Sequence, residues 1–317
     1  MKKYLHPRNR NRERYDLKAM IKTYPELEQF TRQTKEGGLS LDFGAPNAIR
    51  TLNIAILKHY YNIKYWEFPI ENLSPGVPGR AEYIHNVADL LIESSKEKFL
   101  HGDHITCLDI GTGANCIYPI IGIVEYGWKF IASDVDIASL ENAEAIISSN
   151  PNLRGQVTLK HQKNKNFIYR GIIPPKTKIE LTICNPPFHA TEEEMLRGNK
   201  RKLIHLTGSK DPGVEFNFAG ITNELVYKGG EFKFIKRMIK ESGEYAKSVF
   251  WFTSLVSKES NLKKLTNILN DHRPEEVRVI DIQTGNKKSR ILAWTYLTKK
   301  EKESWKNERW MKNINNK

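Results

Sequence analysis

From residue 105 onward, apolar runs of strand length alternate with amphipathic runs of helix length, and nothing else constrains the fold of this chain as tightly. Strands are expected near 105–110, 128–133, 156–161, 179–184, 247–255, 276–282 and 290–297. Helices are expected near 117–125, 137–149, 231–242 and 259–270. Such alternation argues for a sheet covered by helices on both faces. A short Gly/Lys-rich link, Thr284 to Ser289, joins the last two strands and suggests an antiparallel hairpin at the sheet edge. The expected fold is therefore α/β and Rossmann-like: a doubly wound, mostly parallel seven-stranded sheet with an antiparallel edge hairpin. Ligands of such sheets bind beyond the carboxyl ends of the strands.

Three features fall at such ends. The first apolar run, Ile105 to Ile110, meets Gly111-Thr112-Gly113, where glycine lets the backbone turn tightly and approach a ligand. The second strand ends at Asp134, an acid placed to accept hydrogen bonds from ribose hydroxyls. A dinucleotide fingerprint would need glycine where Cys116 stands, so NAD is disfavoured. The pattern Asp109-x-Gly111-x-Gly113 instead resembles the first motif of S-adenosylmethionine (SAM) methyltransferases, with Asn115 in place of their third glycine. The strand ending at Cys184 runs into Asn185-Pro186-Pro187-Phe188. There the prolines fix a turn, Asn offers an amide acceptor and donor, and Phe offers a face for stacking. In this order the three features point to a SAM-dependent (class I) amino-methyltransferase.

Charge selects among partners. The chain has 317 residues, 39% of them hydrophobic, a formal net charge of +13 and a pI near 9.4. That size allows one large domain with extensions, and that charge favours a polyanion, nucleic acid before membrane. Residues 1–22 hold eight Lys/Arg against two acids. Lys2, Lys3, Arg8, Arg10, Arg12 and Arg14, interleaved with aromatic and amide groups, read as a phosphate-binding RNA arm with too few apolar groups for a core of its own. We therefore expect a basic arm over 1–40 and a catalytic domain over 41–300. Within that domain a helical extension spans 41–100, with helices over 42–65 and after the Pro/Gly loop Asn72 to Arg80, and a polar substrate loop spans 189–230. A basic tail, 301–317, follows, and the 299–317 stretch is expected to be helical. Cys107, Cys116 and Cys184 lack metal-site spacing and read as buried thiols of a reducing, cytoplasmic setting. A nucleophile reading of Cys184 is set against strand alternation, which turns it from the face Asn185 uses. His101 and His104 have no third ligand, so no metal is expected. No apolar run is long enough to span a membrane, and no signal peptide is evident. A monomer is expected.

The chain resembles the RlmF family, bacterial 23S ribosomal RNA adenine-N6 methyltransferases. The matching pieces are Leu5-His6-Pro7-Arg8-Asn9-Arg10, Val77 to His85, Asp109 to Gly122, Asn185-Pro186-Pro187-Phe188-His189, Gly229-Gly230-Glu231 and Trp251 to Val256. The eukaryotic methyltransferases of U6 small nuclear RNA look like relatives of the core. The resemblance implies that Arg80, Gly111, Asp134, Asn164 and Asn185 contact SAM or line its pocket. It also implies that one adenine of 23S rRNA, on the RNA or on a large-subunit assembly intermediate, is the substrate. Two other functions compete. One is protein glutamine-N5 methylation of a translation factor, which a similar Asn-Pro-Pro turn can serve; the other is a non-catalytic RNA-binding protein. The basic arm and Phe rather than Tyr at 188 favour RNA chemistry.

Overall fold

The computed structural model describes residues 5–311 apart from 36, 46, 71, 96–100, 192, 195–225 and 285–286. Its main sheet is built from β3 (Thr106–Ile110), β4 (Lys129–Asp134), β5 (Val157–His161), β6 (Ile179–Cys184), β7 (Val249–Val256), β8 (Glu276–Thr284) and β9 (Lys287–Thr295). The order across the sheet is β5-β4-β3-β6-β7-β9-β8, parallel from β5 to β7, with β9 antiparallel to both β7 and β8. The chain leaves β3 for β4 on one side and returns to β6 on the other. A crevice opens at the carboxyl ends where the winding reverses. This is the class I methyltransferase fold, and the edge hairpin stands where its glycine-containing link places it. A small ribbon, β1 (Thr31–Gln33) with β2 (Leu39–Leu41), precedes it.

The central strands are buried on both faces, so alternate side chains feed two apolar layers. On β7, Trp251 enters the layer of Tyr83, Ile120 and Leu181, while Phe252 enters that of Ile239, Leu265 and Trp294. Helices α2 (Ala48–Tyr61), α3 (Val77–Ser95) and α4 (Ile117–Tyr126) contribute to the first layer. Helices α6 (Gly230–Ser242) and α7 (Glu259–Asp271) contribute to the second. Numbered between these, α5 (Ile137–Ser149) begins on Asp136, whose carboxylate accepts from Ser139 N at 2.9 Å. The Pro/Gly loop expected over 72–80 gives way at Val77 to the first turn of α3, where Pro78 costs no hydrogen bond because helix-start amides lack partners.

The N-terminal segment departs from the sequence expectation, and the C-terminal one keeps its expected helix but packs on the body. The 1–40 segment does not stand off as an arm over its described part: Leu5, Leu17 and Met20 are buried, the last two on or beside α1 (Leu17–Thr23). Glu82 of α3, itself buried, takes His6 N on both oxygens, at 3.0 and 2.9 Å, and Asn9 Nδ2 at 3.0 Å. Few apolar groups suffice because the segment borrows the core of the body and satisfies its polar groups there. The 301–317 segment is likewise no free tail as far as Met311. It continues α8 (Lys299–Lys306), and Trp305 and Trp310 are buried against Phe250. Arg309 donates to Glu180, a fully buried acid at the second position of β6, which also accepts from Thr106 N (2.7 Å) and Trp305 Nε1 (3.1 Å). A carboxylate inside a central strand is tolerable only with such partners.

Candidate active site

One cavity lies beyond the ends of β3, β4 and β6, and the three sequence features meet in it. Gly111, Gly113, Asp134, Asn185 and Pro187 border it, together with Arg80 from the first turn of α3. The glycine turn depends on conformations that side chains resist, with φ of +74° at Gly111 and +62° at Gly113. It hangs on Ser133 O, which accepts from Gly111 N and Thr112 N at 2.9 and 3.0 Å. Cys116 also holds a left-handed φ of 52°, so the residue that breaks the dinucleotide pattern keeps a glycine-like backbone. Asn115 has a job a glycine could not do: its Oδ1 accepts from Ile117 N (3.2 Å) and its Nδ2 donates to Leu73 O (3.3 Å). It thereby ties the 72–75 loop to the glycine turn, and Leu73 and Pro75 wall the cavity.

Asp134 receives Gly113 N on Oδ2 at 2.9 Å and Asp136 N on Oδ1 at 3.0 Å. Burial pushes its carboxyl up, and these amides pull the other way. Each oxygen keeps lone-pair capacity, so vicinal hydroxyls could bind it. Asp109 lies under the turn, fully buried, with no hydrogen-bond partner on either oxygen. Burial first, then the charge of Asp134, pushes its carboxyl up to about 7, while Thr112 and Arg80 oppose. Thr112 Oγ1, Tyr118 Oη and Asn185 Oδ1 are also buried without a partner, and all three residues border the cavity. So many unsatisfied polar atoms around one cavity are the mark of a ligand site, since each costs free energy until paired. Arg80 suits a carboxylate end and Asp134 a sugar, whereas Asp109, buried behind the turn, is not among the residues bordering the cavity.

The strand that delivers Asn185 is held by a relay of hydroxyls. Thr253 Oγ1 donates to Thr182 O at 2.6 Å and receives Tyr83 Oη at 2.7 Å, leaving Tyr83 Oη to accept Cys184 N at 3.3 Å. Pro186 is buried and Phe188 half-buried. Phe188 is not among the residues bordering the cavity, whereas Phe167, Tyr227 and Phe234 are. Cys184 does border it, contrary to the alternation argument. Burial holds its thiol well above the usual range, so it is a neutral wall and a poor nucleophile.

Asn164 does not reach the cavity. It is exposed, and its Oδ1 accepts from Asn166 N at 2.9 Å in a local turn. Its neighbour Gln162 borders the cavity instead, and its Oε1 accepts from Asn164 N at 3.1 Å while its Nε2 donates to Arg170 O at 2.9 Å. Buried Glu241 on α6 then receives Ile168 N, Tyr169 N and Arg170 N at 2.7, 2.9 and 2.6 Å, which sets Phe167 and Ile168 as wall. No local pattern announces this pairing across about 70 residues of sequence.

Of the expected RNA contacts, Lys2 and Lys3 lie outside the described residues, as does most of the 189–230 loop. Arg8 is spent on the body: Nη2 pairs with Asp89 at 2.6 Å and Nε donates to Tyr126 Oη at 2.9 Å. Arg10 pairs with Glu125 at 2.7 Å. Among the described residues no ion pair to the body engages Arg12 or Arg14. His101 is exposed, and among the described residues no group of three or more acids, histidines or cysteines could hold a metal ion. No helix of the described residues is long and apolar enough to cross a membrane.

A family model described as RNA methyltransferase matches residues 1–298. The chain belongs to this RNA methyltransferase family. It is 45% identical over 308 residues to the ribosomal RNA large subunit methyltransferase F of Yersinia enterocolitica, covering 96% of this chain and 92% of that protein. It is 46% identical over 306 residues to the protein of the same name from Cytophaga hutchinsonii, covering 96% and 95%. Among solved structures, the human METTL16 catalytic domain in complex with a MAT2A 3′UTR hairpin aligns with a TM-score of 0.76 at 28% identity, covering 93% of this chain and 96% of that one. The N-terminal domain of human METTL16 in complex with SAH aligns with a TM-score of 0.70 at 27% identity, covering 93% and 99%.

Proposed function

We propose that this chain transfers a methyl group from SAM to the N6 amine of one adenine in 23S ribosomal RNA. The observation that carries the reading is Asn185 Oδ1, an amide acceptor buried without a partner at the end of β6, in the cavity that Gly111 and Asp134 also border. Relatives named for the large ribosomal subunit, and a neighbour solved with an RNA hairpin, support the substrate class. Arg80 holds the carboxylate end of the donor and Asp134 its ribose. When bound, SAM supplies a methyl group activated by the sulfonium.

The remaining work falls to the chain itself. An exocyclic amine is a weak nucleophile because its lone pair is delocalised into the ring. Asn185 Oδ1 and the Pro186 carbonyl each accept one N–H, which draws the nitrogen toward a tetrahedral geometry and localises the pair. The amine becomes acidic only as it gains the methyl, so its proton leaves to water without a strong base. Catalysis is then positioning and electrostatics, and the Tyr83–Thr253–Thr182 relay is what keeps the acceptor in place. A loop adenine is cheaper to present than one in a duplex. Arg12 and Arg14 grip phosphate, on naked rRNA or on an assembly intermediate.

The test is incubation of the protein with radiolabelled SAM and rRNA from cells lacking the enzyme, followed by nucleoside analysis. We expect label in N6-methyladenosine, destroyed as a polymer by nuclease. The Asn185→Ala protein should bind RNA within a few-fold of the parent and transfer almost nothing. Label in protein, or an active Asn185→Ala, would refute the reading.

A further inference from the structure

Near the end of the 189–230 segment stands an aromatic residue that none of the sequence motifs includes. Tyr227 borders the cavity with Asn185 and Pro187, where Phe188 does not. Its backbone is fastened to the catalytic turn: Tyr227 N donates to His189 O at 3.0 Å, and Val226 bridges His189 in parallel fashion. The next turn is pressed onto the same peptide. A Cβ on Gly230 would stand in ordinary contact with that peptide, 3.4 Å from Ala190 N and 3.6 Å from Phe188 O, and the φ of +62° is what favours glycine there. Gly230 N donates back to Tyr227 O at 2.6 Å and closes the loop. The ring is braced from α6. Phe234 meets it edge-on at 5.1 Å, and the Arg237 guanidinium stands 5.4 Å from its centroid, itself tied by Nη1 to Lys165 O at 3.0 Å.

A tyrosine held this way is a rigid planar wall that is braced from α6 and borders the cavity. We propose that Tyr227 is a positioning residue that stacks on the target adenine and fixes its plane so that the amine meets Asn185 Oδ1 and the Pro186 carbonyl. The proposal rests on the adenine reading of the preceding section. Aromatic stacking suits it better than hydrogen bonding, because the ring and not the hydroxyl is what the brace orients. The Arg237 guanidinium stands over one face of the ring, so the base stacks on the opposite face.

The experiment compares Tyr227→Ala, Tyr227→Leu and Tyr227→Phe in the full chain, with SAM affinity by calorimetry and single-turnover transfer to unmethylated rRNA. Loss of one stacking face should lower kcat/KM by roughly 5- to 150-fold in the Ala and Leu proteins, mainly through kcat, since phosphate contacts hold the RNA. Tyr227→Phe should stay within about 2-fold, and SAM affinity should be unchanged in all three. Leu preserves apolar packing but not a planar face, so recovery with Leu as complete as with Phe would overturn stacking. An Ala protein as active as the parent, or one with weakened SAM binding, would overturn the assignment. If the parent itself places no methyl on adenine, the functional reading falls and this inference with it. An active parent beside an equally active Ala protein defeats the inference alone.

Discussion

Glu82→Ala should release the N-terminal segment from the catalytic body. The carboxylate is buried, takes His6 N on both oxygens and takes Asn9 Nδ2 at 3.0 Å; Asn9 itself is only 3% exposed. Hydrogen bonds to a charged acceptor contribute about 1.5–3 kcal/mol each. Truncation removes two donors' partner, but the segment can lift off and hydrate, which caps the loss at about 2–4 kcal/mol. Trypsin reads this directly, because Arg8 and Arg10 are cleavage sites held against Asp89, Tyr126 and Glu125. With cleavage limited by opening, the rate there should rise on the order of 30- to 1,000-fold. Glu82→Gln, which keeps an acceptor oxygen, should fall between. SAM affinity should drop as well, since Arg80 sits two residues away on α3 and borders the cavity. An unchanged digestion rate at Arg8 in Glu82→Ala would mean that the carboxylate does not anchor the segment. Unchanged SAM affinity with fast digestion would mean that α3 is rigid without it.

Asp134→Ala should weaken SAM binding by ~1–3 kcal/mol, the scale of charge-assisted hydrogen bonds, and calorimetry finding no change in a folded protein would move the ribose contact elsewhere. Arg309→Met should destabilise by about 3–5 kcal/mol near neutral pH, because it strands Glu180 in the sheet. Burial already raises the Glu180 carboxyl in the native state while Arg309 opposes it, so the variant carboxyl rises further. The folded form then takes up a proton before the unfolded form does. The deficit should therefore be largest above the folded value and shrink as pH falls toward the ordinary glutamate range; a deficit constant from about pH 8 to 5 would refute this. Replacing Arg12 and Arg14 by Ala should cut the log–log salt slope of RNA binding by ~0.7 for each phosphate no longer neutralised, and an unchanged slope would free both residues of that role.

Sequence alone determined the features that are local in physics. Burial on both faces gave the strands of the sheet their apolar runs. The left-handed backbone at Gly111 and Gly113 announced the tight turn, and two prolines after Asn185 marked where β6 must stop. Each is written within a few residues, and parallel winding then brings the three strand ends to one crevice. What tertiary structure decided depends on groups far apart along the chain. Glu82 captures the first residues, Glu180 captures the last described turn, and Glu241 shapes the wall that displaced Asn164 in favour of Gln162. Nothing local in the sequence gives these glutamates their partners. A carboxylate on a helix or strand says nothing of the distant amides and guanidinium that make its burial tolerable, and a basic segment does not reveal whether its charges face phosphate or are already paired within the fold.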